Sequence, residues 1–92
     1  MSSVRKPCVI IGRKPVMTYV TACLTLFHQG YPEVEIRARG RAISKAVDVV
    51  ATLKNCFMKD LLIKKVIIGT ELVPGRGGKN LRKTAMTIIV GR

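Results

Sequence analysis

Arg37, Arg39, Arg41 and Lys45 fall within nine residues of one another, and cations at that density are suited to neutralising phosphate. Two further groups share this character. Arg5, Lys6, Arg13 and Lys14 stand near the start, and Arg76, Lys79, Arg82 and Lys83 near the end. In all, 17 Lys and Arg face 5 acids over 92 residues, a formal net charge of +12. The first 32 residues hold no acid, and nor do the last 21. A small domain so charged repels itself unless a polyanion accompanies it, and nucleic acid is the commonest one. A cationic surface with no partner is served equally well by scattered charge; here the charge is grouped.

Other chemistry has little material. Glu33, Glu35, Asp48, Asp60 and Glu71 form no motif, and His28 is the only histidine. No nucleophile–base pattern is recognisable, so the chain does not read as an enzyme. Gly75 to Lys79 has the flavour of a phosphate-cradling loop, but Asn80 stands where Ser or Thr belongs and a strand follows, not a helix. Cys8, Cys23 and Cys56 are far apart with no CxxC pair, which excludes a zinc site by spacing; no metal or other cofactor is expected. Each cysteine lies in an apolar stretch and reads as a small buried hydrophobe in a reducing cytosol. No signal peptide is visible, because Arg5, Lys6 and Pro7 interrupt the start, and no run of 18 apolar residues marks a membrane span. With no Trp and only Tyr19, Tyr31, Phe27 and Phe57 as aromatics, a single-strand binder built on stacking platforms is also disfavoured.

The elements that must position the cations follow from periodicity. Cys8 to Ile11 is an apolar run, read as a buried strand. Gly12-Arg13-Lys14 makes a loop, and Pro15 suits the first turn of a helix. Val16, Val20, Cys23, Leu24 and Phe27 then recur at helical spacing, with Thr18, Thr21, Thr25 and His28 opposite and a second apolar stripe at Tyr19, Ala22 and Leu26. Gly30 and Pro32 end this helix. Val34, Ile36 and Ala38 alternate with Glu35, Arg37 and Arg39, the pattern of a half-buried strand with two arginines outward. Gly40 breaks it. A second helix runs from about Ala42 to Phe57, with Ile43, Ala46, Val47, Val50, Leu53 or Lys54, and Phe57 along one side. Lys59-Asp60 is a turn. Ile63 to Leu72 is a strand with Gly69 at a bulge, residues 74–81 a mobile basic hairpin loop, and Thr84 to Val90 the last strand.

The order β-α-β-α-β-β predicts a single α+β domain over residues 1–92: a two-layer sandwich, with a four-stranded mixed sheet carrying two helices on one face. Residues 1–7 read as a flexible lead. A chain of this size builds a modest core, yet 48% of it is hydrophobic and its mean hydropathy is +0.25. That surplus, with two apolar stripes on the first helix, predicts a subunit interface and a homodimer. The strand-to-helix corner at Arg37 to Lys45 offers free backbone N–H groups beside its cations, as does the loop at Arg13 and Lys14. Arg41 and Lys45, cations at the start of a helix, oppose its dipole and so look placed for an anion.

Ile10-Ile-Gly-Arg-Lys-Pro-Val-Met-Thr-Tyr19 and Ile36-Arg-Ala-Arg-Gly-Arg-Ala-Ile-Ser-Lys-Ala-Val-Asp48 closely resemble the Alba family of archaeal chromatin proteins, and the resemblance spans about Cys8 to Val90. It implies a homodimer that coats and compacts the chromosome by binding double-stranded DNA, and also RNA, with little sequence preference. Carried over, the basic body is Arg13, Lys14, Arg39, Arg41 and Lys45, with Arg37 on the same strand. The arms, which would enter flanking minor grooves, are the Arg76 to Lys83 loops, including Lys79 and Arg82. Phe57 matches a position of dimer–dimer contact on DNA. The family loop often carries Lys-Lys with the first lysine acetylated; Arg13 stands there, which leaves Lys14 as the modification candidate. The same resemblance admits an RNA-binding ribonucleoprotein subunit or RNA chaperone, and a paralogue as a second partner. From another class, a protein–protein scaffold binding an acidic partner fits the charge. The expected location is the cytoplasm, on the chromosome.

Overall fold

The alternation that begins at Val34 lies at the centre of the molecule. A computed structural model of the chain describes residues 6–92; Arg5 and most of the lead expected at 1–7 lie outside the described residues. The elements run β1 Cys8–Ile10, α1 Val16–His28, β2 Glu33–Arg39, α2 Ala42–Thr52, β3 Leu62–Pro74 and β4 Asn80–Gly91. The sheet order is β1-β2-β4-β3: β1 joins β2 in parallel, while the β2–β4 and β3–β4 pairs are antiparallel. This is the α+β arrangement the periodicities imply.

On β2, Val34, Ile36 and Ala38 are buried against the helices, and Arg37 and Arg39 are exposed. Their burial joins Val20, Cys23 and Phe27 of α1, Ala46, Val49 and Val50 of α2, and Ile88 and Val90 of β4 in one core. Lys6 and Pro7 are anchored to β2 by a Lys6–Glu33 ion pair at 3.1 Å and a Glu35 N–H to Pro7 carbonyl bond at 2.9 Å. α2 runs on into a π-helical turn over Leu53–Phe57, closed by the Met58 N–H on the Leu53 carbonyl at 2.6 Å. That wider turn leaves Leu53 buried and Phe57 half-exposed at 50%. Val49, absent from the stripe read along α2, is buried, while Val47 of that stripe is half-exposed.

Four expectations are corrected. The irregularity in β3 falls between Ile63 and Lys65, not at Gly69, which pairs regularly with Ala85. The hairpin ladder reaches Pro74 and Asn80, so Arg82 and Lys83 sit on β4 and only the 75–79 segment is loop. Ladder bonds are made by the backbone, so charged side chains do not end a strand whose faces meet water. Cys23 is buried, and burial pushes its thiol up to about 11, but Cys8 and Cys56 are exposed: β1 turns only Val9 inward, and Cys56 faces out from the π-helical turn. Finally, the second stripe of α1 is covered within the chain, with Tyr19 buried and Ala22 and Leu26 packed at the core edge. Among the described residues, six of the eleven exposed large hydrophobics lie on β3 instead. Val66 is 49% exposed and Ile68 66%, because the helices lie over β1, β2 and β4.

Candidate nucleic-acid interface

Two chain reversals build the basic site. At the first, β2 turns into α2 through Gly40, whose φ of +54° is a left-handed conformation that a side chain disfavours. Its N–H is fixed to the Thr84 carbonyl of β4 at 2.8 Å, and its carbonyl takes the Ile43 N–H at 3.2 Å. Arg41 is thereby presented at the start of α2. At the second, β1 leads through Gly12-Arg13-Lys14 to Pro15, which caps α1 in an extended conformation.

The two reversals meet. The Lys45 ammonium of α2 donates to the carbonyls of Gly12 at 3.1 Å and Lys14 at 2.8 Å. Between them and the base of the β3–β4 hairpin lies an open groove of about 740 Å³. Its charged lining is Arg13, Arg37, Arg39, Arg41, Lys45 and Lys83, against the single acid Glu71. The three basic groups read from sequence thus send members to one place. Arg13 comes from the first, the four residues Arg37 to Lys45 from the second and Lys83 from the third. Arg76 and Lys79 do not join it; they ride the hairpin tip, which closes by a 3-10 turn over Arg76–Gly78 and a Gly75 N–H to Lys79 carbonyl bond at 2.8 Å. Arg82 on β4 and Lys14 are exposed outside the groove lining.

Two of the groove arginines have internal counter-ions. Arg37 lies 3.0 Å from Glu35, and Arg39 lies 3.5 Å from Glu71. All four side chains are solvent-accessible, so each pair contributes little to stability and can exchange its carboxylate for a phosphate. Among the described residues no ion pair engages Arg13, Arg41 or Lys83. Nor do the described residues contain a group of three His, Cys, Asp or Glu able to hold a metal, and no helix is long and apolar enough to cross a membrane.

The fold coincides with that of known proteins. The family model Alba matches residues 9–70, from β1 into β3 and including both reversals. The chain belongs to the Alba family. Among solved structures it is similar to Alba from Thermoplasma volcanium, at 33% identity and a TM-score of 0.89 over 92% of this chain and 99% of that one. It is also similar to ALBA1 from Trypanosoma brucei, at 25% identity and a TM-score of 0.77 over 98% of this chain and 72% of that one. Alba membership points to nucleic-acid binding and an architectural role in place of catalysis. The family model ends before the hairpin tip, whereas the structural similarity extends over nearly the whole chain.

Tyr19 was missed as a functional residue. It reads as part of an apolar stripe, yet its hydroxyl accepts the N–H groups of Gly12 at 2.8 Å and Lys14 at 3.1 Å. The spacing Gly12-x-Lys14-Pro15 followed by Tyr19 held the signal, since one turn into a helix is where a side chain reaches back over its own N-terminal loop.

Proposed function

We propose that this chain forms a basic homodimer that binds double-stranded DNA, and RNA, with little sequence preference and coats the chromosome in the cytoplasm. The observation that carries the reading is the groove, where six cations converge on one acid. Its chemistry is phosphate neutralisation with counterion release. Arginine side chains on a rigid strand–helix corner can meet phosphates of any sequence, and among the described residues the groove lining holds no Asn or Gln to pair with adenine. The hairpin tips, with Arg76 and Lys79, extend the contact along the duplex. Phe57, half-exposed at the end of the π-helical turn, joins neighbouring dimers on DNA, and Lys14 is open to acetylation.

The homodimer draws support from β3. Leu62, Ile63, Val66, Ile67, Ile68 and Leu72 are all exposed in the single chain, and so many apolar side chains on one strand call for a partner. A second copy placed there brings two basic corners to one duplex.

Affinity for one duplex, measured across salt concentrations, tests the proposal. With about 5–8 phosphates neutralised per dimer, log K should fall against log salt with a slope of about −4 to −7. A slope near zero, or a large affinity gap between unrelated duplexes, contradicts it.

A further inference from the structure

The geometry points to Tyr19 and Lys45 as positioning residues that hold the Gly12–Lys14 loop in its binding-ready shape. The inference rests on the reading that this face meets a duplex. Four hydrogen bonds converge on a three-residue loop. The Tyr19 hydroxyl oxygen accepts from both flanking N–H groups, at 2.8 and 3.1 Å, and the Lys45 ammonium donates to both flanking carbonyls, at 3.1 and 2.8 Å. Arg13 sits between the two tethered residues with its side chain exposed toward the groove.

The clamp has anchors on both sides. The Tyr19 ring is buried in the core on α1, so its hydroxyl is fixed in place. Lys45 reaches from α2, 33 residues away from Gly12 in sequence. Gly12 allows close approach: a Cβ there would stand 3.2 Å from the Tyr19 hydroxyl oxygen and would press on it by a few tenths of an ångström. Pro15 restricts Lys14 from the other end.

The arrangement has an electrostatic purpose. Arg13, Lys14 and Arg41 repel one another when no phosphate is present, and a free loop would swing its two cations away. The carbonyls hold Lys45 without neutralising it, so its charge stays in the groove while two of its three donors do structural work. A loop ordered during folding does not have to be ordered during binding. Lys45, read from sequence as a phosphate contact, therefore acts mainly through the loop.

Tyr19→Phe removes one oxygen and no charge. In the otherwise intact protein it should weaken binding to a defined duplex at fixed salt by about three- to tenfold. Amide exchange at Gly12 and Lys14 should quicken while exchange in the core strands holds. In an Arg13→Ala, Lys14→Ala background, where the loop has nothing to present, adding Tyr19→Phe should leave affinity unchanged. A second pair keeps charge matched. Lys45→Met should lose most of its effect in that background, and Arg41→Met should keep its own, because only the former acts through the loop. Equal losses from Tyr19→Phe in both backgrounds, or no loss in the intact protein, overturn the assignment. If Arg13→Ala, Lys14→Ala binds as tightly as the parent, the loop is no part of the interface and the assignment also falls. If the parent itself binds no duplex, it is the proposed function that fails.

Discussion

The corner and the hairpin tip carry similar cations on different mechanical supports. At the corner, Gly40 is bonded to β4 and the Arg13 loop is fixed by Tyr19 and Lys45. At the tip, Arg76 and Lys79 stand beyond the last ladder pair, Pro74 with Asn80, on a 3-10 turn with exposed side chains. A cation contributes to binding only what remains after its own segment has been ordered. The corner has been ordered by folding; the tip has that cost still ahead. Equal charge therefore need not mean equal affinity, and the corner should dominate.

The comparison is most severely tested through the flank of the hairpin. Ile68→Asp, at a residue already 66% exposed, should leave the single chain folded but place an unpaired charge in the proposed subunit interface. That costs several kcal/mol of association. Sedimentation should then give the 10.1 kDa chain mass instead of twice that value, and duplex affinity should drop with the loss of the second corner. An unchanged dimer would move the interface off β3.

A smaller effect sharpens the electrostatics of the groove. Glu71 reaches from β3 to Arg39 and is the only acid in the groove lining. Glu71→Gln should tighten duplex binding by up to about 1 kcal/mol, since an exposed pair at this distance gives little stability in return. A loss of affinity would mean that Glu71 orients Arg39 for phosphate.

Phe57→Ala should change melting only slightly, within about 1 kcal/mol, because half of the ring is already in water. The expected change is less cooperative coating of long DNA, read from binding isotherms. A loss of several kcal/mol, the usual result for a core Phe, would place the ring in the core instead.

The smallest expected effect lies at the opposite end of β2 from the corner. Hydrogen bonds from Lys64, and then from Lys6, hold the Glu33 carboxyl below its ordinary value of 4.5. A depressed folded value means that this contribution is complete above about pH 4.5 and fades as pH falls through the folded value. Glu33→Gln should therefore slightly flatten the acid limb of a stability–pH curve and leave binding at neutral pH alone.

Much of this was legible in the chain because period and packing agree. The alternation from Val34 gave β2 its buried and basic faces, and the helical spacing from Val16 gave α1 within a residue or two of its observed ends. Arg41 and Lys45 were legible as a corner because a strand pattern, a glycine and a helical pattern follow one another directly. Three features were not legible, each for a physical reason. The hairpin's full length was hidden because Arg82 and Lys83 pair through their backbones whatever their side chains. The apolar run on β3 has the composition of a buried strand, and only the position of the helices reveals that it is bare. The clamp on the Gly12–Lys14 loop depends on a hydroxyl and an ammonium brought together by tertiary packing, which periodicity does not encode.

The direct measurement compares corner with tip at matched charge. Arg41→Ala, Lys45→Ala and Arg76→Ala, Lys79→Ala each remove two cations from side chains outside the core, so circular dichroism should show the parent fold in both. Affinity for one duplex at one salt concentration should fall by about 2–3 kcal/mol for the corner pair, which loses a contact and a tether, and by about 1 kcal/mol for the tip pair, whose gain is offset by ordering. An equal or larger loss from the tip pair would contradict the assignment of the main binding surface to the corner.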